Sequence, residues 1–177
     1  ARGWNSPTSI GASDFSSQIT QWSLDNWGED VVANRRGSSI YFFDTDAATS
    51  PTRATLVSGA TNSTPTTVNS IIVSPNDRHL VCLGTNQFNT TADPNGTFEP
   101  MLVKWSNQED LTNWVPSLNS TAGENVLTDG TQIVGGVRSR NAINIWTDNS
   151  LWTMTFVGPP FTFSFNQLGS NCGLIAP

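Results

Sequence analysis

The sequence predicts an all-β fold of antiparallel meanders, and three observations carry that prediction. The first is the stretch 131–156, which reads as strands at 132–138, 143–147 and 150–157. Ile143, Ile145 and Thr147 alternate with Asn144 and Trp146, and Leu151, Thr153 and Thr155 alternate with Trp152, Met154 and Phe156. Period-two patterning with β-branched and aromatic residues marks half-buried strands. The second is the turn chemistry between these runs. Asp148-Asn149 forms a two-residue hairpin loop and Ser139-Arg140-Asn141 another turn, from residue types that tolerate the left-handed conformation. The third is the want of helical periodicity: only 108–114 admits a turn or two of helix.

Taken in order, residues 1–19 are rich in Ser, Gly and Thr and read as an arm anchored by Trp4 and Phe15. The domain spans 20–177. Residues 22–27 form an extended lead-in with a turn at Asp25-Asn26, followed by a strand at 31–33, a turn at 34–37 and a strand at 39–43. Gly37 stands where a positive φ is cheap. A polar loop, 46–67, holds a short strand at 55–57. Strands at 70–73 and 79–83 flank Pro75-Asn76-Asp77, a strong turn sequence. Polar loops at 85–99 and 116–130 bracket a strand at 101–105 and a turn-like 106–114. Phe161, Phe163 and Phe165 alternate as a last strand before a glycine-rich end.

Strand ends with an aromatic and small polar residues recur at Phe43-Asp44-Thr45, Trp105-Ser106-Asn107 and Trp146-Thr147-Asp148, spaced by 62 and 41 residues. The second spacing suits a propeller blade of about 40–45 residues, and the first suits a blade with an insertion. The expectation is a propeller-like domain, with a β-sandwich as the alternative. About three blades fall short of the four to eight that usually close a ring. The domain is therefore expected to be incomplete and to continue past residue 177.

Composition narrows the function classes. The chain has 177 residues, 10% aromatic and only 12% charged, with a net charge of −6 and a pI near 4.4. Aromatic content this high requires a packed core. No basic footprint serves phosphate binding. An acidic wall repels DNA, which suits a conduit along which DNA slides. No apolar run reaches bilayer-spanning length.

Candidate chemistry is sparse. His79 is the one histidine, so a Ser-His-Asp arrangement must use it; it reads as a solvent-side strand residue. Cys82 and Cys172 read as two free buried thiols, with one disulfide as the alternative. A zinc site would need both with His79 and a carboxylate, a spacing the chain does not favour. Glu29-Asp30 and Glu109-Asp110 read as solvated turns, because strand neighbours point to opposite faces. Asp44 and Asp46 read as capped turns rather than calcium ligands. Sequons at Asn62, Asn89, Asn95 and Asn119 lie in loops. Gly135-Gly136 reads as a bulge or a close backbone contact. No catalytic, cofactor-binding or metal-ligating residue is assigned.

Three longer stretches carry a resemblance: Trp22-Ser-Leu-Asp-Asn-Trp-Gly-Glu-Asp30; Pro100-Met-Leu-Val-Lys-Trp-Ser-Asn-Gln-Glu-Asp-Leu-Thr-Asn-Trp114; and Phe156-Val-Gly-Pro-Pro-Phe161 leading to Gly169-Ser-Asn-Cys-Gly-Leu-Ile175. They resemble a family of virion structural proteins of tailed bacteriophages, over most of 20–177. The resemblance implies a non-enzymatic tail component, such as a tube, nozzle or hub adaptor. It would be assembled in the host cytoplasm as a ring with copies of itself and other tail proteins. Contacts are expected on loops 46–67, 85–99 and 116–130 and on the arm, because loops supported by a sheet carry binding. The alternative is a carbohydrate-binding or glycan-cleaving propeller. Binding requires Trp22, Trp27, Trp105 and Trp114 clustered on an open surface, and cleavage a carboxylate pair about 5–9.5 Å apart.

Overall fold

The computed structural model describes residues 21–46, 53–58, 64–88 and 95–177. Three four-stranded antiparallel sheets follow one another along the chain, each a simple meander. The first sheet holds β1 (Trp22–Trp27), β2 (Asp30–Arg35), β3 (Ile40–Phe43) and β4 (Thr55–Leu56). The second holds β5 (Val68–Val73), β6 (Leu80–Phe88), β7 (Asn95–Trp105) and β8 (Gly123–Val126). The third holds β9 (Ile133–Arg138), β10 (Ala142–Thr147), β11 (Ser150–Gly158) and β12 (Thr162–Ser170). The all-β class and the hairpin of β10 and β11 are as the sequence predicts, and no helix occurs among the described residues.

Several boundaries differ. The expected turn at Asp25-Asn26 is absent. β1 runs straight and pairs with β2 from Trp22↔Arg35 to Trp27↔Asp30. The turn falls at Gly28-Glu29, where Gly28 supplies a φ of 73° without the steric cost a side chain would bring. β6 extends to Phe88, and the 85–99 stretch holds the start of β7, with Thr85↔Glu99 and Asn86↔Phe98 paired. The 116–130 stretch likewise holds β8. These strands are polar, and their pairing comes from the sheet rather than from local pattern. Residues 108–114 are turns, closed by an Asn107–Asp110 bridge, rather than helix. The aromatic-polar repeat is also partly out of phase: Phe43 and Trp105 end third strands, whereas Trp146 lies near the end of a second strand.

The sheets are layered so that the second is covered on both faces. β6 shows why, since its residues alternate between two cores. Leu80 and Cys82 pack with Trp27, Val32, Ile40 and Trp114 against the first sheet. Val81 and Leu83 pack with Ile133, Ile143, Ile145, Met154 and Phe163 against the third. β1 lies against β5, and β5 against β9. Between β1 and β5 side chains replace a strand ladder. Ser23 Oγ accepts the Ile71 N–H at 3.1 Å, and Asp25 Oδ2 accepts the Val73 N–H at 2.7 Å. This explains the polar residues on the inward face of β1: they satisfy the edge N–H groups of β5.

Candidate interaction surfaces and the buried polar centre

The one histidine is a core residue. His79 is fully buried, which corrects the solvent-side expectation. The Pro75-Asn76-Asp77 turn brings a carboxylate back over the strand that follows. Asp77 Oδ1 accepts the Ser74 hydroxyl at 2.8 Å, and Asp77 Oδ2 lies 2.5 Å from His79 Nδ1. On the far side, His79 Nε2 is 3.0 Å from Thr121 Oγ1. The Thr121 carbonyl accepts Trp105 Nε1–H at 2.8 Å and the Thr162 hydroxyl at 3.1 Å. Phe156 and Phe163 flank the imidazole, Phe163 edge-on at 5.1 Å.

The order carboxylate, imidazole, hydroxyl is that of a hydrolytic triad, but this one is closed. No substrate reaches a fully buried ring, and Thr121 Oγ1 already accepts the Gln108 N–H at 2.9 Å. The arrangement instead ties the β5–β6 turn, the 107–121 segment and β12 together. Buried polar groups that are all satisfied rigidify a core in this way.

The other candidates scatter. Asp30 accepts the Thr45 N–H and hydroxyl, Asp110 those of Thr112, and Asp44 the Asp46 N–H. Asp44 and Asp110 cap turns, the former as read from sequence, whereas Asp30 is the first, half-buried residue of β2 rather than a solvated turn residue. Asn119 sits in an exposed turn, and Asn95 opens β7. Asn62 and Asn89 lie outside the described residues, as do the 1–19 arm and parts of loops 46–67 and 85–99. The cysteines are unpaired, and Cys172 is exposed, contrary to the expectation of two buried thiols. Burial pushes the Cys82 thiol far up from its ordinary value, which the Lys104 ammonium only partly offsets. Lys104 sits opposite Cys82 in the ladder, and burial in turn draws its own pKa down.

Gly136 meets the close-contact expectation. A side-chain carbon there would lie 2.8 Å from both Ile72 Cδ1 and Leu83 Cδ1, so the glycine lets the third sheet approach the second. The ladder also slips beside Gly135, between Trp146 and Thr147.

What the sheets leave open is apolar surface at the two ends of the stack. On the first sheet, Leu24, Ala33, Tyr41 and Leu56 form one cross-strand row. Leu24 is 65% and Leu56 54% exposed, with Trp22 beside them at 52%. On the third sheet Val137, Val157 and Leu168 are exposed. The three on the third sheet lie at separate ladder positions, whereas clustered apolar exposure like the first-sheet row marks an interaction surface. Trp27, Trp105 and Trp114 are buried, so of the four tryptophans named for sugar stacking only Trp22 is open.

No protein-family model matches the chain, and no curated protein matches it in sequence.

Proposed function

We propose that the chain is a non-enzymatic structural subunit of a bacteriophage tail, built as three consecutive blades of an incomplete propeller. In this reading it assembles into a ring with copies of itself and contacts other tail proteins. The observation that carries the reading is the open stack. Three meanders sit with their first strands side by side, the middle one is covered on both faces, and of the end sheets the first presents an uncovered apolar row while the third exposes single apolar residues. A stack with such an open apolar end is finished by a neighbour. The sequence resemblance to tail proteins supports the same reading, and the acidic balance suits a wall that DNA passes without sticking. The virion tail is then the place of the mature protein.

Burial of Trp27, Trp105 and Trp114 weighs against a stacking platform for glycans. The test is the mass of the native protein by light scattering, beside an intact-mass spectrum. A discrete assembly many times heavier than 19.1 kDa is the expected result. A monomer at every concentration would sink the ring.

A further inference from the structure

The hydrogen-bond partners around His79 allow the protons of the buried centre to be counted. Thr121 Oγ1 stands at the middle of three contacts: Asn107 Oδ1 at 2.9 Å, the Gln108 N–H at 2.9 Å and His79 Nε2 at 3.0 Å. A hydroxyl donates once and accepts at most twice. The Gln108 N–H can only donate. Asn107 Oδ1 can only accept, and its amide is fixed that way round because the same atom takes the Thr121 N–H at 2.9 Å. The hydroxyl hydrogen therefore goes to Asn107, and His79 Nε2 must carry a proton of its own to donate to Thr121.

The other ring nitrogen faces a carboxyl group. His79 Nδ1 and Asp77 Oδ2 lie 2.5 Å apart, a contact that needs a proton between them. With Nε2 already protonated, the pair holds one proton more than a neutral imidazole beside a carboxylate. The count is the same whether that proton rests on Nδ1 or on Asp77. Burial favours it. The His79 and Asp77 side chains are 0% and 4% exposed, and without the proton they would bury an uncompensated negative charge. Phe156, Phe163 and Thr121, which face the ring from β11, β12 and the 107–121 segment, bring no charge. Arg78, Arg138 and Glu109 line the depression that Asp77 borders, and among the described residues none of the three pairs with Asp77 or His79.

We propose that this trapped proton makes the centre a pH-sensitive latch. Through His79 it ties the turn of Ser74 and Asp77 to Thr121. Thr121 in turn holds Asn107, Gln108, Trp105 and Thr162. Withdrawing the proton leaves a single ring proton. If Nδ1 keeps it for Asp77, Nε2 turns acceptor and competes with Asn107 for the one Thr121 hydroxyl hydrogen. If Nε2 keeps it, a bare Nδ1 faces the carboxylate. Either way one bond of the network is lost, and the 107–121 segment loosens where it meets β6. Raising the pH opens the latch and lowering it closes it. The device acts within one chain and does not depend on ring assembly.

His79 is the one histidine, so long-range proton–nitrogen NMR of the isotope-labelled chain reads its ring directly. A protonated Nε2 is expected in the folded protein at neutral pH, and a bare Nε2 overturns the proton count. As the pH is raised, the amide signals of Gln108 and Thr121 should move with the ring, or vanish with it as the chain unfolds. A ring that titrates while both stay fixed overturns the latch. Urea unfolding of Asp77→Asn beside wild type gives an independent reading. The new amide can donate to Nδ1, so the variant needs no extra proton. One proton of difference between two folded proteins changes the ratio of their unfolding constants about tenfold per pH unit. Folded wild type binds the more protons, so its advantage falls as pH rises, about a hundredfold from pH 5 to pH 7. A gap that stays constant over that range is what a merely structural pair gives, and it overturns the proposal. Should Asp77→Asn fail to fold, the ring spectrum of wild type decides alone.

Discussion

Arg138, the last residue of β9, reaches across the stack to Asp25 in β1, with Nη1 3.3 Å from Oδ1. The same guanidinium touches the Val73 carbonyl of β5 at 3.4 Å, and Asp25 accepts the Val73 N–H. One clasp thus joins all three sheets at one end of their first strands. Its two halves should differ in weight. Arg138 is 45% exposed, and solvent-screened pairs contribute about 0–1 kcal/mol. Asp25→Ala removes the acceptor of a part-buried backbone N–H, a loss of about 1–3 kcal/mol. Urea unfolding should therefore show Asp25→Ala clearly less stable than Arg138→Ala. The Arg138 effect should fade in high salt, while the part of the Asp25 effect that comes from the Val73 N–H should persist.

The buried centre gives a larger expected effect. His79→Ala leaves Asp77 with an unpaired buried oxygen and opens a cavity between Phe156 and Phe163. Breaking a buried pair of this kind costs about 3 kcal/mol. Equilibrium unfolding of His79→Ala should show that loss, and Asp77→Asn a smaller one because its amide oxygen still accepts the Ser74 hydroxyl. An unchanged midpoint in His79→Ala would show that the centre does not hold the loops.

The thiols should react unequally. Cys172 is exposed and Cys82 buried with its thiolate disfavoured, and the thiolate is the reactive form. One thiol should titrate with an aromatic disulfide reagent in the native protein at neutral pH, and two in denaturant. Two fast native reactions would mean that the β6 core opens readily.

Asp148 gives a pH dependence with a fixed direction. The Thr131 hydroxyl, then the Thr131 N–H, donate to its carboxylate and hold it below its ordinary value of 3.8. A carboxylate with a lowered folded value contributes its stability above the unfolded value and loses it as pH falls through the folded one. Wild type should be more stable than Asp148→Asn at pH 7, and the two should converge as pH drops below about 3.8. A gap that persists at pH 2 would rule out this carboxylate as its source.

Much of the fold was legible because its signals are local. The β10–β11 hairpin is written in alternation and in Asp148-Asn149, and Gly136 announces a close approach. The misplaced features depend on distant partners. Asp25 looks like a turn residue until Val73 is seen to donate to it. Asn95–Trp105 begins with polar residues that become a strand only beside β6. His79 looked exposed because its neighbours in sequence are charged, yet Asp77, two residues earlier after a proline turn, was a readable hint of a partner.

The double covering of β6 bears on how the molecule comes apart. Removing either outer sheet strips one complete face of the middle one, so neither can peel away while the rest stays intact. The backbone N–H groups of β6 should then exchange with deuterium only when the whole molecule opens, while those of β4 and β12, at the outer margins, exchange through local fraying.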